Sequence, residues 1–326
     1  MSTILVSGAS GIVGYGILRS LKAAKEHYNL IGTSIYNDSV APAFCENFVQ
    51  APMTTDPSYV DWLLAIVSKY KVDMVIPGIE IDMYKWVKHI KEIEQAGAIP
   101  LLNRVNLIQS CKDKWLFYEQ LCKAKLSCRI KSSVSQDFDV LVNSLSLPFL
   151  LKPKQGFGAK GIEKIDNESS FLIYRDEIGR SLLAQQIVGS DDEEYTTSAF
   201  CDGRGGYTGV LTLRRKLSKD GYTEKAEVTS SDQFVKTISE LCHLFKPMGP
   251  TNFQFRVSND EIKLLEINPR ISSSTSIRTA FGYNESEMAV NYFLKNEEQS
   301  QPIIKMGRAV RYTDEYIFYD DNSIHL

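Results

Sequence analysis

Histidine is scarce in this sequence. His27, His89, His243 and His325 are its only four copies, and no H-E-x-x-H puts two on one helix face, which excludes the common zinc-hydrolase signature. The six cysteines (Cys45, Cys111, Cys122, Cys128, Cys201, Cys242) contain no C-x-x-C. In a chain this long they read as reduced thiols, not as a disulfide frame or a zinc site. No apolar run approaches the roughly 18 residues of a membrane span. The start, Met1-Ser2-Thr3-Ile4-Leu5-Val6-Ser7-Gly8, lacks the basic head and cleavage site of a signal peptide. A cytoplasmic protein with no membrane partner is therefore expected. Charge of one sign is lacking as well: Lys+Arg 37 against Asp+Glu 40 leaves −3, so no basic excess points to nucleic acid.

What the chain does have is apolar material, 43% of 326 residues, enough for two or three compact lobes. The first hundred residues alternate strand and helix. Strands are expected at 4–6, 30–35, 74–76 and 99–102, and helices at about 12–21, 60–70 and 83–94. This order implies parallel β-α-β units. After Asn106 the texture changes. Helices are expected over 107–122, 231–244 and 286–294. Strands are expected at 149–153, 162–165, 182–188, 194–201, 209–214, 251–257 and 262–267, and their close spacing suggests antiparallel sheets. The ending, 307–312 and 316–319, reads as a strand pair. The reading divides the chain into 1–106, 107–187 and 188–326.

Gly8, Gly11 and Gly14 follow the first strand and open a helix, the context of a phosphate-binding turn. Taken alone they suggest an NAD(P)-dependent oxidoreductase of the Rossmann type, and Tyr84-x-x-x-Lys88 resembles a dehydrogenase pair. Against this, the second strand ends in Ser34 and Ile35 without an acid for the ribose, and the Tyr84/Lys88 pair comes too early. A tight turn packing helix on sheet explains the glycines equally well.

Two later segments are more specific. In Phe149-Leu150-Leu151-Lys152-Pro153-Lys154-Gln155-Gly156-Phe157-Gly158-Ala159-Lys160-Gly161-Ile162, a strand ends in a lysine and a glycine loop returns to another strand. Free backbone N–H groups beside a lysine suit closing over a polyphosphate, although an ordinary glycine-rich hairpin has the same composition. Near residue 260 come Asn252-Phe253-Gln254-Phe255-Arg256 and Lys263-Leu264-Leu265-Glu266-Ile267-Asn268-Pro269-Arg270. Glu266 and Asn268, two apart, share a strand face. With Gln254 they offer oxygen donors suited to Mg²⁺, and Arg270 could steady a transferring phosphoryl group. A polar sheet edge would also read this way.

Together, and in this order, these segments resemble the ATP-grasp superfamily, in the group of biotin carboxylase and the carbamoyl-phosphate synthetase large subunit, over about residues 1–295. The resemblance implies an α/β and α+β architecture: a Rossmann-like pre-ATP-grasp lobe, then a two-lobe ATP-grasp fold. It implies that Lys114 and Lys152 reach the phosphates of ATP and that Gly156, Gly158 and Gly161 form a lid. Gln185, Gln186, Ile187 and Val188 would hold adenine. Gln186 departs from the usual acid there. Glu194, with Glu193 as rival, would hold the ribose. Gln254, Glu266 and Asn268 would hold Mg²⁺, for which Mn²⁺ can substitute, and Arg270 would be the catalytic arginine. Glu80, Asp82, Arg214, Ser273 and Arg278 are candidates for the acceptor, with Arg215 and Lys216 equally readable as a solvated run.

The activity implied is an ADP-forming carboxylate–amine ligase acting through an acyl phosphate on a small molecule such as an amino acid, peptide or sugar acid. An ATP-grasp kinase and a nucleotide-binding regulatory protein are the other readings. The sequence leaves a homodimer open.

Overall fold

The computed structural model describes residues 1–156, 161–319 and 324–325. Its first lobe runs β1 (Thr3–Val6), α1 (Ile12–Lys22), β2 (Asn29–Ser34), β3 (Asn47–Gln50), α2 (Tyr59–Tyr70), β4 (Met74–Ile76), α3 (Glu80–Trp86), α4 (Ile90–Gln95) and β5 (Ile99–Pro100). The five strands are all parallel in the order β3-β2-β1-β4-β5. The central strands β1 and β4 are buried along their whole length, which is why they read as unbroken apolar runs. The edge strand β3, Asn47-Phe48-Val49-Gln50, is half exposed and gives no such run; the sequence reading missed it. The single helix expected over 83–94 is two, because His89 leaves the helical conformation (φ −127°, ψ 24°).

Next come α5 (Val105–Lys112), α6 (Lys114–Lys123), β6 (Ser132–Ser133), α7 (Phe138–Leu145), β7 (Phe149–Pro153), β8 (Glu163–Ile165), α8 (Glu168–Tyr174) and β9 (Leu182–Gln186). The strands make an antiparallel sheet in the order β6-β9-β7-β8. Leu141, Leu145, Phe149, Leu151, Ile165 and Phe171 form a core of its own beneath it. The helix expected over 107–122 is broken at Asp113. This residue is extended, and its carboxylate accepts from the N–H groups of Trp115 and Leu116, so it caps α6 in place of continuing α5.

The remaining elements are β10 (Glu194–Asp202), β11 (Tyr207–Leu217), β12 (Thr223–Thr229), α9 (Asp232–Phe245), β13 (Met248–Ser258), β14 (Glu261–Asn268), α10 (Thr275–Ala280), α11 (Glu285–Lys295), β15 (Arg308–Val310), β16 (Ile317–Phe318) and β17 (Ile324–His325). Six of the strands form an antiparallel sheet, β14-β13-β10-β11-β12-β15. The two terminal segments expected to pair with each other do not. β15 extends the large sheet along β12, whereas β16 pairs with β17. Among the described residues no helix is long and apolar enough to cross a membrane.

The first lobe and the large sheet share a core: Ile17, Leu18 and Leu21 of α1 join Leu211, Ile277, Tyr283 and Met288 in one buried cluster. The contact is close because α1 is small on this side. A Cβ at Gly16 would lie 3.2 Å from the Thr275 methyl, and Ser20 accepts the Thr279 hydroxyl at 2.9 Å. Gly14 faces the opposite constraint, since an added Cβ would run into the Gly8 carbonyl. By helix propensity alone, Gly14→Ala should stabilise the chain by about 1 kcal/mol. We expect the reverse, a loss of about 2 kcal/mol from overpacking, read as a lower midpoint of thermal unfolding; a raised midpoint would contradict the close approach.

Candidate active site

The two antiparallel sheets face each other across a cavity of about 490 Å³. Strand alternation decides what each contributes. On β7, Phe149 and Leu151 point into the small lobe's core, and Leu150 and Lys152 line the cavity. Lys152 Nζ donates to Gln185 Oε1 at 2.7 Å, and Gln185 Nε2 donates to Ser132 Oγ at 3.1 Å. Burial pulls the Lys152 ammonium down to about 8; Glu266 opposes the shift, and Lys114 and Arg256 add to it. Gln186, Ile187 and Val188 follow along the same wall.

The break at Asp113 places Lys114 at the N-terminal turn of α6. Its backbone N–H donates to Lys154 O at 2.8 Å and its Nζ to Gly156 O at 2.9 Å, so both of its ends touch the glycine loop. Gly156 lines the cavity and Gly161 lies beside Pro153. Both hold positive φ, 127° and 71°, a region that favours glycine. Gly158 lies outside the described residues.

On the facing sheet, Gln254 of β13 stands opposite Glu266 of β14, and Asn252 opposite Asn268. A bulge at Gln254/Phe255 changes the register there. It lets Leu264 pack in the core with Phe253 and Phe255 while Glu266 and Asn268 keep the cavity face. Asn268 Nδ2 donates to Glu266 Oε1 at 2.8 Å. Arg270, just beyond, donates through Nε (3.2 Å) and Nη2 (2.5 Å) to Glu80 Oε1, and through Nη2 to Asn268 Oδ1 at 3.3 Å. Glu80 opens α3 at the C-terminal end of β4, so this pair joins the first lobe to the strand carrying Glu266.

Three candidates take other places, and a fourth lines the cavity with its carboxylate already engaged. Asp82 is buried inside the first lobe, accepting from Thr54 at 2.5 Å, and desolvation raises its pKa. Two residues apart on a helix, Glu80 and Asp82 point about 200° from each other, and of the two only Glu80 lines the cavity. Arg214 is turned outward to Glu193 and the Asp192 carbonyl. Its neighbour Arg215, on the opposite strand face, is the one that lines the cavity. Arg278 is fully buried in a structural network with Glu285, Ser272, Thr196 and Asn252. Glu194 lines the cavity, but Arg215 donates to its Oε1 (3.2 and 2.9 Å) and Arg256 to its Oε2 (3.2 and 3.0 Å). Ser273 sits at the cavity wall beside Pro269 and Arg270.

Arg215, Arg256, Tyr84 and Cys111 also line the cavity. The alternation that sets Arg215 in the same register as the apolar Leu211 and Leu213 was the sequence signal available for the first. Burial pushes the Cys111 thiol well up, helped by Glu266 and Glu80, so it is a neutral wall group. As a cation site, Glu266 and Asn268 supply the hard oxygen donors a divalent ion requires. The carbonyl oxygen of Gln254 already accepts from Arg215 Nη2 at 2.7 Å. Among the described residues no three His, Cys, Asp or Glu side chains group closely enough to hold a metal unaided.

Comparison with known proteins agrees with this layout. Residues 12–102 match a family model described as PylC-like, N-terminal domain, and residues 191–316 one described as ATP-grasp in the biosynthetic pathway with Ter operon. Carbamoyl phosphate synthase large chains from Methanothrix thermoacetophila and Campylobacter jejuni are 22% and 20% identical over 71% and 82% of this chain. The chain spans 24% and 26% of those relatives' lengths. Among solved structures, N5-carboxyaminoimidazole synthetase from Staphylococcus aureus complexed with ADP superposes with a TM-score of 0.73 at 17% identity, covering 93% of this chain and 80% of that one. Biotin carboxylase from Campylobacter jejuni, a complex with β-γ-ATP, gives 0.74 at 13%, covering 94% and 74%. With a parallel-sheet first lobe, two facing antiparallel sheets and these matches, the chain has the ATP-grasp fold, and its residues 191–316 are similar in sequence to an ATP-grasp family.

Proposed function

We propose that the protein is an ATP-dependent, ADP-forming ligase that joins a small-molecule carboxylate to an amine through an acyl phosphate. The observation that carries this reading is the shared cavity in which Lys152 of one sheet faces Glu266, Asn268 and Arg270 of the other. The relatives named above include synthases and a synthetase, and solved neighbours are complexed with adenine nucleotides, which supports nucleotide use.

Lys152 and Lys114 offset the charge of the triphosphate, and the apolar wall at Leu150, Ile187 and Leu264 receives the adenine. Backbone groups at 186–188 read its edge. Glu266 and Asn268, with Gln254 opposite, would hold Mg²⁺ or Mn²⁺, which when bound supplies Lewis-acid charge at the phosphates. The carboxylate oxygen of the acceptor attacks the γ-phosphorus, the β,γ-bridging P–O bond breaks, and ADP leaves. Arg270, oriented by Glu80, steadies the negative charge on the phosphoryl oxygens. The amine nitrogen then attacks the acyl carbon, the C–O bond to phosphate breaks, and the amine proton passes to solvent. The acceptor enters where Glu80, Tyr84 and Ser273 meet, at the end of the cavity nearest the first lobe.

ADP release measured across a library of carboxylates and amines tests the reading. We expect release that requires one carboxylate and one amine together. Dependence on a lone hydroxyl compound would make the protein a kinase instead. Glu266→Ala should remove ADP formation, by at least about a hundredfold, with an unchanged circular dichroism spectrum; substantial residual turnover would deny the carboxylate its role.

The Lys152 pKa gives a pH dependence. It lies at about 8, below the usual 10.5, so between these values the unfolded chain binds the extra proton and this group makes stability rise with pH. Nucleotide binding runs the other way, because it requires the ammonium. Affinity for a non-hydrolysable ATP analogue should fall above pH 8, by up to about tenfold per pH unit, and titration calorimetry should find that slope absent in Lys152→Met.

A further inference from the structure

The end of the cavity nearest the first lobe is built from parts that touch one another. A Cβ on Gly78, two residues before Glu80, would lie 2.8 Å from the Gly14 Cα, so α1 starts against the start of α3. Two residues further along α1, Gly16 meets Thr275, which sets the same helix start beside the 272–274 loop. The β11–β12 hairpin is tied to that loop: Thr223 Oγ1 and Ser274 Oγ lie 2.8 Å apart, and Arg311 donates to the Thr223 and Ser273 carbonyls. To the cavity wall these parts contribute Ile12 and Val13 from α1, Met83 and Tyr84 from α3, and Leu217 and Tyr222 from the hairpin. The wall here is mostly apolar.

Charge at this end is sparse and nearly all engaged. Arg270 is held by Glu80, and the Arg311 guanidinium is taken up by the two carbonyls. Arg215 and Arg256 are paired with Glu194, and Lys114 and Lys152 stand on the phosphate side. Of the hairpin's charged residues Lys216, Lys219 and Asp220, only Asp220 lines the cavity. Its place is set by a tight turn, in which its backbone N–H donates to Ser218 Oγ and Ser218 N–H donates to the Tyr222 carbonyl. Among the described residues no cation engages its carboxylate.

Resting on the ligase reading above, we infer that the carboxylate substrate is an apolar amino acid or short apolar peptide whose free ammonium group is bound by Asp220. An ammonium at this rim gains a charge-assisted hydrogen bond to the one carboxylate without a partner, and an aliphatic or aromatic side chain covers the apolar wall. A phosphorylated sugar acid or an acid with a second carboxylate is disfavoured, because its extra negative charge meets Asp220 with no unengaged cation beside it.

The test replaces the amine substrate by hydroxylamine, whose nitrogen attacks the acyl carbon of the acyl phosphate; the bond to phosphate breaks, a proton passes to solvent and a hydroxamate forms. With ATP and Mg²⁺, hydroxamate and ADP are measured for leucine, phenylalanine and Ala-Leu, for their N-acetyl counterparts, and for glutamate and 6-phosphogluconate. At least one of the three free apolar acids should be used, with a kcat/KM at least about tenfold above that of its N-acetyl counterpart. Equal use of the N-acetylated acid, preference for glutamate or 6-phosphogluconate, or no turnover of any free apolar acid overturns the inference. Asp220→Asn, a change in an exposed turn, should lower the preference for the free over the N-acetylated acid by about tenfold; an unchanged preference overturns the role of Asp220. A wild type that retains no AMP-PNP in equilibrium dialysis refutes the nucleotide reading itself, whereas one that binds AMP-PNP but selects other acids refutes only the substrate class.

Discussion

The site is organised around a cation held out of water. Lys152 ends a strand whose alternate residues fill the small lobe's core, so its ammonium sits in a wall of leucine and isoleucine with the Gln185 oxygen as its near neighbour. Desolvation is the largest influence on it, and the charge of Glu266 across the cavity is the largest one opposing. Neither sheet alone satisfies its own buried charge. On the proposed reading, a polyanion with a divalent ion would complete the balance on both sides. The facing sheets, the capped helix that delivers Lys114 and the bulge that aims Glu266 all serve this arrangement.

A second network fixes the opposite wall. Glu194 between Arg215 and Arg256, and Arg278 with Glu285 behind it, place five charged side chains in or beside the core of the large sheet. Such groups are stable inside a protein only when every charge is matched and hydrogen-bonded. The result is a rigid plate whose cavity face carries Arg215, Gln254, Glu266 and Asn268 in set positions. Arg270 leaves the end of this plate and reaches the first lobe at Glu80, so one salt bridge ties the large sheet to the first lobe at the cavity.

Much of the fold was legible because the buried strands of the first lobe, and the strands carrying Lys152 and Glu266, are marked by their own apolar patterns. Among the elements that escaped are the half-exposed edge strand at Asn47–Gln50, the short helix at Thr275–Ala280, the helices at Phe138–Leu145 and Glu168–Tyr174, and the strand at Thr223–Thr229. Asp113 shows a different failure. Helical periodicity runs straight through it, and only its capping geometry divides α5 from α6. In the site, residue identity was easier to read than direction. Arg214 and Arg215 are adjacent and chemically alike, and a one-residue step on a strand sends one to solvent and the other to the cavity. Asp82 and Glu80 diverge by the same kind of step on a helix. The glycines of the first turn are explained by close packing: Gly14 against the Gly8 carbonyl and Gly78 against that of Ser7, with Ser10 tying Ser34 and Ser39 beneath the turn.

The division of the cores has a mechanical side. The first lobe and the large sheet are built on one common cluster, and the helices at 105–123 pack into a second cluster with the large sheet. The four-stranded sheet has an apolar core of its own and is joined to the remainder by polar contacts such as Lys114 to Lys154 and to the glycine loop. Among the described residues the buried apolar cluster of the four-stranded sheet is separate from the clusters that join the other parts, so displacing the small sheet disturbs less of the shared interior. On the proposed nucleotide reading, the small sheet is then the part free to act as a jaw, against an anvil formed by everything else.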